Sequence, residues 1–360
     1  MASYRFAALA VAIACLAAAA ACSPSAAAPP GKPAAPAPSE AARAGPAPAG
    51  SSTAPARPAA QPPAPRTVRI GAPAASLSLL PAKVAEERGY FRAEGLEIDW
   101  RTLSPELSVS AVLAGEADYS TTPTSTAAAA SKGAPVKIVQ FMAAKLQHQL
   151  LGRADLNGIA DLAVKRIAVN RQGDLTAFEV RVALDHYRVP DATLISLGRE
   201  TDRLMGVLSG AVDATVLPVP ADIVAERQGL KLLLSMGTLL EVPLAGLGTG
   251  EEYIRREPEA VAGMIRGAIR GVQYLRDPAN ADDVTALIAS WVSIPQDEAA
   301  VALDRVRDTY SPNGLVSETG MQNFLAMLRA TDAIEDDTTA DQVADFRIAR
   351  RVAAELGVAP

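Results

Sequence analysis

The sequence predicts an α/β protein made of two lobes of one design, joined by two chain crossings. Three observations predict it. Strand-like runs alternate with helical runs of ten or so residues, as in βαβ units with a parallel sheet. The segment AVLAGEADYSTTP (Ala111 to Pro123) recurs as GVLSGAVDATVLP (Gly206 to Pro218), with Gly115, Asp118 and Pro123 matched by Gly210, Asp213 and Pro218. Beyond about residue 250 the pattern is helical throughout, a tail that needs a sheet to pack on.

The first set opens with TVRIGAP, where Val68 and Ile70 alternate with Arg69 and Pro73 stops the run. A helix with Leu80, Val84 and Ala85 inward follows, closed by Gly89. GLEIDWRTL is the next strand, with Leu96, Ile98 and Trp100 on one face. Then come a helix over 106–114, the strand ADYST, a helix over 124–132, and the strand VKIVQFM. The second set repeats this order with KRIAV, a helix from Asp174, ATLIS, a helix over 201–209, VDATVLP, a short helix, and LKLLLSM. Crossings near 143–150 and 238–246 join the lobes. In the next segment Thr249 and Glu252 fit a capping box. The expected division is 67–145 with 243–360 for the first lobe and its helical tail, and 146–242 for the second lobe.

The N-terminus reads as an export address over residues 1–22. Arg5 precedes an apolar run from Phe6 to Ala21 that ends in small residues before Cys22. The stretch resembles a bacterial lipobox, in which that cysteine is lipidated; the departure is alanine at Ala19, where leucine is commoner. Cys15 also follows small residues but leaves a shorter apolar run. A plain signal peptide or an uncleaved anchor are the alternatives. Residues 23–66 are almost only Ala, Pro, Ser and Gly, too poor in apolar surface to repay ordering. A linker of that length spans roughly 35 to 130 Å, so the folded body is expected to work near a membrane while held to it only by the lipid.

The 360 residues are 49% hydrophobic and 21% charged with a formal net charge of −6, which fits a globular body and no nucleic-acid partner. The only cysteines are Cys15 and Cys22 and the only histidines His148 and His186, so neither a disulfide framework nor a thiolate metal site is expected in the body. No metal or cofactor is expected, and the chain is expected to be a monomer.

Ligands of open α/β sheets bind beyond the carboxyl ends of the strands. The candidate contacts therefore lie in loops. After the first strand these are Ala74, Ser76 and Leu77, beside Ala75. After ADYS come Thr121, Thr122, Thr124 and Ser125, whose hydroxyls either donate to a ligand or cap the next helix. In the second lobe they are Arg171, Gln172, Gly173, Asp174 and Thr176, then Leu217, Pro218 and Val219. Arg171 is either an anion partner or a solvated rim charge. Asp174 is either a helix cap or a partner for a ligand amine. Gly173 would let a ligand approach the backbone. Gln140, Gln147 and His148 lie beside the first crossing; nothing in the sequence pairs His148, which leaves a structural role and a ligand role open. The tips are short of aromatics, which disfavours a flat stacked ring.

LLPAKVAEERGYFRAEGLEIDWRTL resembles a segment of the SsuA/THI5-like, or NMT1, family of ABC-importer substrate-binding lipoproteins. LAGEADYS, SKGAPVKIV, DLAVKRIAV and YIRREPEAVAGMIRGAIRGVQYLRD resemble further segments, so the likeness spans about 67–330. It implies a type II periplasmic-binding-protein fold with a two-crossing hinge. It also implies a small organic ligand or oxyanion, anionic or not, delivered to an ABC permease and its ATPase. Tyr90 and Phe91 of the GYF triplet read as core of the first lobe. The alternatives are a THI5-like enzyme of thiamine-precursor synthesis and the ligand-binding subunit of a sensor. Against the enzyme, the mature chain lacks the cysteine-rich motif of those synthases, a G-x-S-x-G elbow and an H-E-x-x-H pair. GLGTG (Gly246 to Gly250) is a lone glycine cluster and no nucleotide loop is read from it.

Overall fold

A computed structural model describes residues 65–358. Cys15, Cys22, the export segment and nearly all of the linker lie outside the described residues.

The first set comprises β1 (Arg66–Ala72), α1 (Leu80–Glu87), α2 (Tyr90–Ala93), β2 (Leu96–Thr102), α3 (Pro105–Leu113), β3 (Tyr119–Ser120), α4 (Pro123–Ser131) and β4 (Val136–Ala143). The second comprises β5 (His148–Gly152), β6 (Arg166–Val169), α5 (Leu175–His186), β7 (Thr193–Ser196), α6 (Glu200–Leu208), β8 (Ala214–Pro218), α7 (Ala221–Arg227), β9 (Lys231–Ser235) and α8 (Met236–Leu239). The return comprises β10 (Ala245–Gly250), α9 (Glu251–Arg256), α10 (Pro258–Arg276), α11 (Ala281–Trp291), α12 (Gln296–Val306), α13 (Glu318–Ala330), α14 (Ala340–Val343) and α15 (Arg347–Glu355).

The two sheets run β2-β1-β3-β10-β4 and β7-β6-β8-β5-β9. They are one topology used twice. In each, one strand, β1 or β6, pairs parallel with two neighbours, and the strand that arrives across a crossing, β10 or β5, inserts antiparallel. Thus β5 enters the second sheet from the first lobe, and β10 enters the first sheet from the second. The first crossing is short, since β4 ends at Ala143 and β5 begins at His148. The sequence reading treats that stretch as connection only; HQLLG shows no clean alternation, and its one turn residue, Gly152, comes at its end.

The repeated segment has a shared hydrogen-bonding reason. Gly115 and Gly210 end their helices at φ of 73° and 74°, a conformation that glycine adopts without strain. Asp118 Oδ2 then accepts the backbone N–H of Arg69 at 2.8 Å, and Asp213 Oδ2 accepts that of Arg166 at 2.9 Å. Each carboxylate ties the entrance of its own strand to the parallel neighbour, to the middle of β1 in the first lobe and to the start of β6 in the second. The register that follows is equivalent, with Gly71 opposite Ser120 and Ala168 opposite Thr215.

The first lobe's core is closed by α10 lying on α1 and α2. A Cβ on Gly271 would stand 2.1 Å from the Pro81 carbonyl, and one on Gly267 would stand 2.4 Å from the Phe91 ring. Those absent atoms let the helices approach. Phe91 is buried there, while Tyr90 packs edge-on against Tyr274. The tail does not stop at the first lobe, as the sequence reading has it. Phe324 and Leu328 of α13 share one buried cluster with Leu150, Val180 and Met236 of the second lobe. Asn323 Nδ2 donates to the Glu241 carbonyl at the second crossing at 3.0 Å. The tail is therefore a strap across both lobes; its apolar stripes alone did not say which sheet they cover. The capping box at Thr249 is also absent. Gly250 occupies the N-cap of α9, and the Thr249 hydroxyl donates to the Asp118 carbonyl at 2.7 Å.

Asp118→Ala and Asp213→Ala are each expected to lower unfolding stability by about 1–3 kcal/mol, because a part-buried backbone N–H loses a charged acceptor. Urea unfolding checks this. Burial raises the Asp118 pKa, but the Arg69 hydrogen bonds outweigh it and the value lies below that of an ordinary carboxylate. The Asp118 contribution is accordingly complete above about pH 4 and lost as pH falls further. Gly271→Ala is expected to destabilise more than Gly173→Ala, whose added Cβ meets nothing within 4 Å.

Candidate functional site

The carboxyl ends of β1, β3 and β8 meet the two crossings around a cavity of about 540 Å³. The first lobe supplies the 73–79 loop with Thr121 and Thr122; the second supplies His148, Glu200 and Pro218 to Pro220. Gln147, Leu244 and Ala245 of the crossings also line it, with Val292 from the tail. A smaller cavity of about 260 Å³ adjoins it and shares His148, Glu200 and Pro218. Asn170, Thr176, Gly198, Arg199, Arg203 and Val216 complete its wall.

Nine of the sequence-predicted positions line this space: Ala74, Ser76, Leu77, Thr121, Thr122, His148, Thr176, Pro218 and Val219. Their hydroxyls are already partly engaged. Thr121 Oγ1 donates to the Gly71 carbonyl at 3.1 Å, and the Thr122 and Ser120 hydroxyls are 2.9 Å apart. Thr122 is the N-cap residue of α4 by position yet makes no side-chain capping bond. Ser76 caps the turn at Leu77–Leu79.

The other eight do not line it, each for a local reason. Thr124 and Ser125 sit in the first turn of α4, half-buried. Gln140 is buried in β4, where its amide lies against Gly314. Leu217 precedes a cavity residue on β8, so the pleat turns it into the core beside Leu151 and Ala168. Arg171, Gln172 and Gly173 form the exposed tip of their loop. Gln172 is held by the Leu194 carbonyl and Arg181. Asp174 caps α5, accepting from Ala177 N at 3.2 Å and from the Thr176 hydroxyl at 2.7 Å. The flanking residues Asn170 and Thr176 are the ones that reach the smaller cavity.

Three charged residues of the second lobe were missed. Glu179 is wholly buried, and its Oε1 lies 2.6 Å from His148 Nδ1. Its signal in the sequence is an acid on the inward stripe of α5, beside Thr176, Val180 and Ala183. Burial opposes the charged imidazolium, but Glu179 outweighs it and the His148 pKa lies above its ordinary value. Arg203 is 4% exposed and donates to the Gly198 carbonyl at 2.5 Å and the Val216 carbonyl at 3.2 Å. Burial pulls its pKa down. Glu200 stands exposed in both cavities.

Reciprocal ion pairs join α7 of the second lobe to α12 of the tail. Arg305 of α12 grips Asp222 and Glu226 of α7, while Arg227 of α7 grips Asp297 and, at 2.6 Å, Glu298 of α12.

A model of the NMT1/THI5-like family matches residues 78–281. The chain belongs to that family. Among solved structures, the periplasmic aliphatic sulphonate-binding protein SsuA from Escherichia coli is 18% identical with a TM-score of 0.63, over 78% of this chain and 92% of that one. The periplasmic nitrate-binding protein NrtA from Synechocystis PCC 6803 is 14% identical at TM-score 0.61, over 81% and 89%. The desulfurization enzyme DSZB is 16% identical at TM-score 0.61, over 81% and 99%. No curated protein matches the chain. The fold of this NMT1/THI5-like chain is thus the two-lobed periplasmic-binding-protein fold, one that also carries an enzyme. Among the described residues no cluster of three or more His, Cys, Asp or Glu is placed to hold a metal ion, and no helix is long and apolar enough to cross a membrane.

The α7–α12 ion pairs make a pH prediction. Burial raises the Asp222 pKa to about 6 against the pull of Arg305, above the unfolded value of about 3.9. Its contribution to stability is therefore full below about pH 4 and lost as pH rises through about 6. The thermal midpoint of Asp222→Asn, compared with wild type between those values, is expected to lack that downward component.

Proposed function

We propose that the chain is an extracytoplasmic solute-binding lipoprotein that captures a small molecule between its lobes and delivers it to an ABC permease and its ATPase. The observation that carries this is the cavity at the strand carboxyl ends, walled by two equivalent lobes that only two crossings and the tail connect. Such a cleft admits a solute when open and excludes water when closed. The family, and the named roles of SsuA and NrtA as binding proteins, support the reading. The export segment, Cys22 and the linker supply a tether that keeps the folded body beside a membrane. Ligand contacts come from the hydroxyls of Ser76, Thr121, Thr122 and Thr176, from His148, and from the apolar wall of Ala74, Leu77, Pro218 and Val219. The protein acts as a monomer and without a cofactor.

The likeness to DSZB keeps an enzymatic reading in play. Native mass spectrometry of the freshly purified protein identifies what it carries, and calorimetry with that compound separates the two. Saturable binding with the compound recovered unchanged is expected; steady turnover would establish an enzyme instead. Lipidation is tested by growth in labelled palmitate. Label is expected in the wild type and absent from Cys22→Ala, and equal label in both refutes the tether.

A further inference from the structure

His148 opens β5, where the chain has just crossed between lobes, and stands opposite Pro218 of β8. Its Nδ1 is held by Glu179, and among the described residues no hydrogen bond takes its Nε2. The side chain keeps 14% exposure, and it lines both the larger and the smaller cavity. Glu179, in turn, is wholly buried, with Oε2 unpartnered. A carboxylate so enclosed is strongly disfavoured alone, so the imidazolium beside it is its counter-charge, the cationic half of a buried pair. With Nδ1–H donated to Glu179, the second proton sits on Nε2, the one ring nitrogen left for the cavity. The deprotonated ring would present a lone pair there instead.

The surrounding charges make that proton decisive. Glu179 of α5, Glu200 of α6 and Asp174 at the N-cap of α5 are the acids around His148 and its neighbour Arg203; Arg203 of α6 and the exposed Arg199 are the bases. The Arg203 guanidinium is tied to two carbonyls and approaches no carboxylate closely enough to pair. Counting formal charges, these groups balance when His148 is protonated and are left with one negative charge when it is not.

We infer that His148, positioned by Glu179, is a proton-dependent ligand anchor whose Nε2–H donates to an oxyanionic group of the solute. This rests on the solute-capture reading. A carboxylate or sulfonate oxygen meets a charged donor at low pH. At high pH it meets a lone pair in a field of negative sign. Capture and release are therefore linked to the proton.

Only two histidines occur in the chain, so imidazole NMR of the [15N]histidine-labelled full protein resolves His148 once His186→Gln has assigned the other signal. The expected midpoint lies above the ordinary value of about 6.5 and falls by at least about one pH unit in Glu179→Gln. Methanesulfonate and acetate in millimolar excess serve as anionic probes, with dimethyl sulfone as the neutral isostere. At least one anion is expected to move the midpoint further up, and the sulfone is not. In His148→Gln the affinity for that anion is expected to drop about tenfold near pH 6 and to lose its pH dependence, a unit of pKa being a factor of ten. A wild-type midpoint at or below the ordinary value overturns the inference, as does a midpoint that neither anion moves. A co-purified solute bound equally from about pH 5.5 to about 8.5 would leave solute capture standing and remove the anchor. A cleft that holds nothing at any pH would remove both.

Discussion

A buried carboxylate that grips the backbone of the neighbouring strand organises both halves of this protein. Asp118 and Asp213 each accept a backbone N–H of the parallel partner, that of Arg69 within β1 or of Arg166 at the start of β6. The constraint is local, but its consequences are not. Once the strand entrance is pinned, the pleat determines which later side chains face the core and which face the cavity. The glycine before each aspartate, at positive φ, lets the helix end and the chain turn into the pinned strand. The same few hydrogen bonds thus place Thr121 and Thr122 on one wall and Pro218 and Val219 on the other.

The crossings turn two such walls into one cleft. Each lobe lends the other its antiparallel strand, so β5 and β10 are both connections and sheet members. This makes the base of the cleft a pair of strands. His148 begins one of them, so its ring is positioned by the sheet and not by a loop. The α13 strap and the α7–α12 ion pairs add further links between the lobes. The α7–α12 pairs are polar. The α13 links are largely apolar and favour staying together.

Much of the fold was legible because it is written in periodicity. Helix and strand order, the glycine stops and the matched aspartates follow from patterns that repeat. What stayed hidden has a common physical character: it depends on which neighbour a side chain meets. HQLLG shows no clean alternation and no turn residue before Gly152, so β5 reads as connection. The stripes of α13 are apolar whichever lobe they cover. Loop membership also proved a coarse guide to the site. Leu217 and Pro218 are adjacent, and a period of two sends one into the core and the other into the cavity. Arg171 to Gly173 are the tip of a loop whose flanks, Asn170 and Thr176, are the parts that face inward.

The missed residues are the ones that break local rules. Glu179 is an acid on an apolar stripe, and Arg203 is a cation bound only to carbonyls. Burying either without a full partner opposes folding, and a sheet-and-helix scaffold has no need of them. Their persistence beside one imidazole, at the point where the chain changes lobes, is most economically understood as chemistry that the core tolerates because the cleft uses it. The hydroxyls of the first lobe shape and hydrate the cavity, but hydroxyls alone impose no charge preference. With His148 as the anchor proposed above, selectivity by charge would reside in the second lobe, while the first lobe would supply shape.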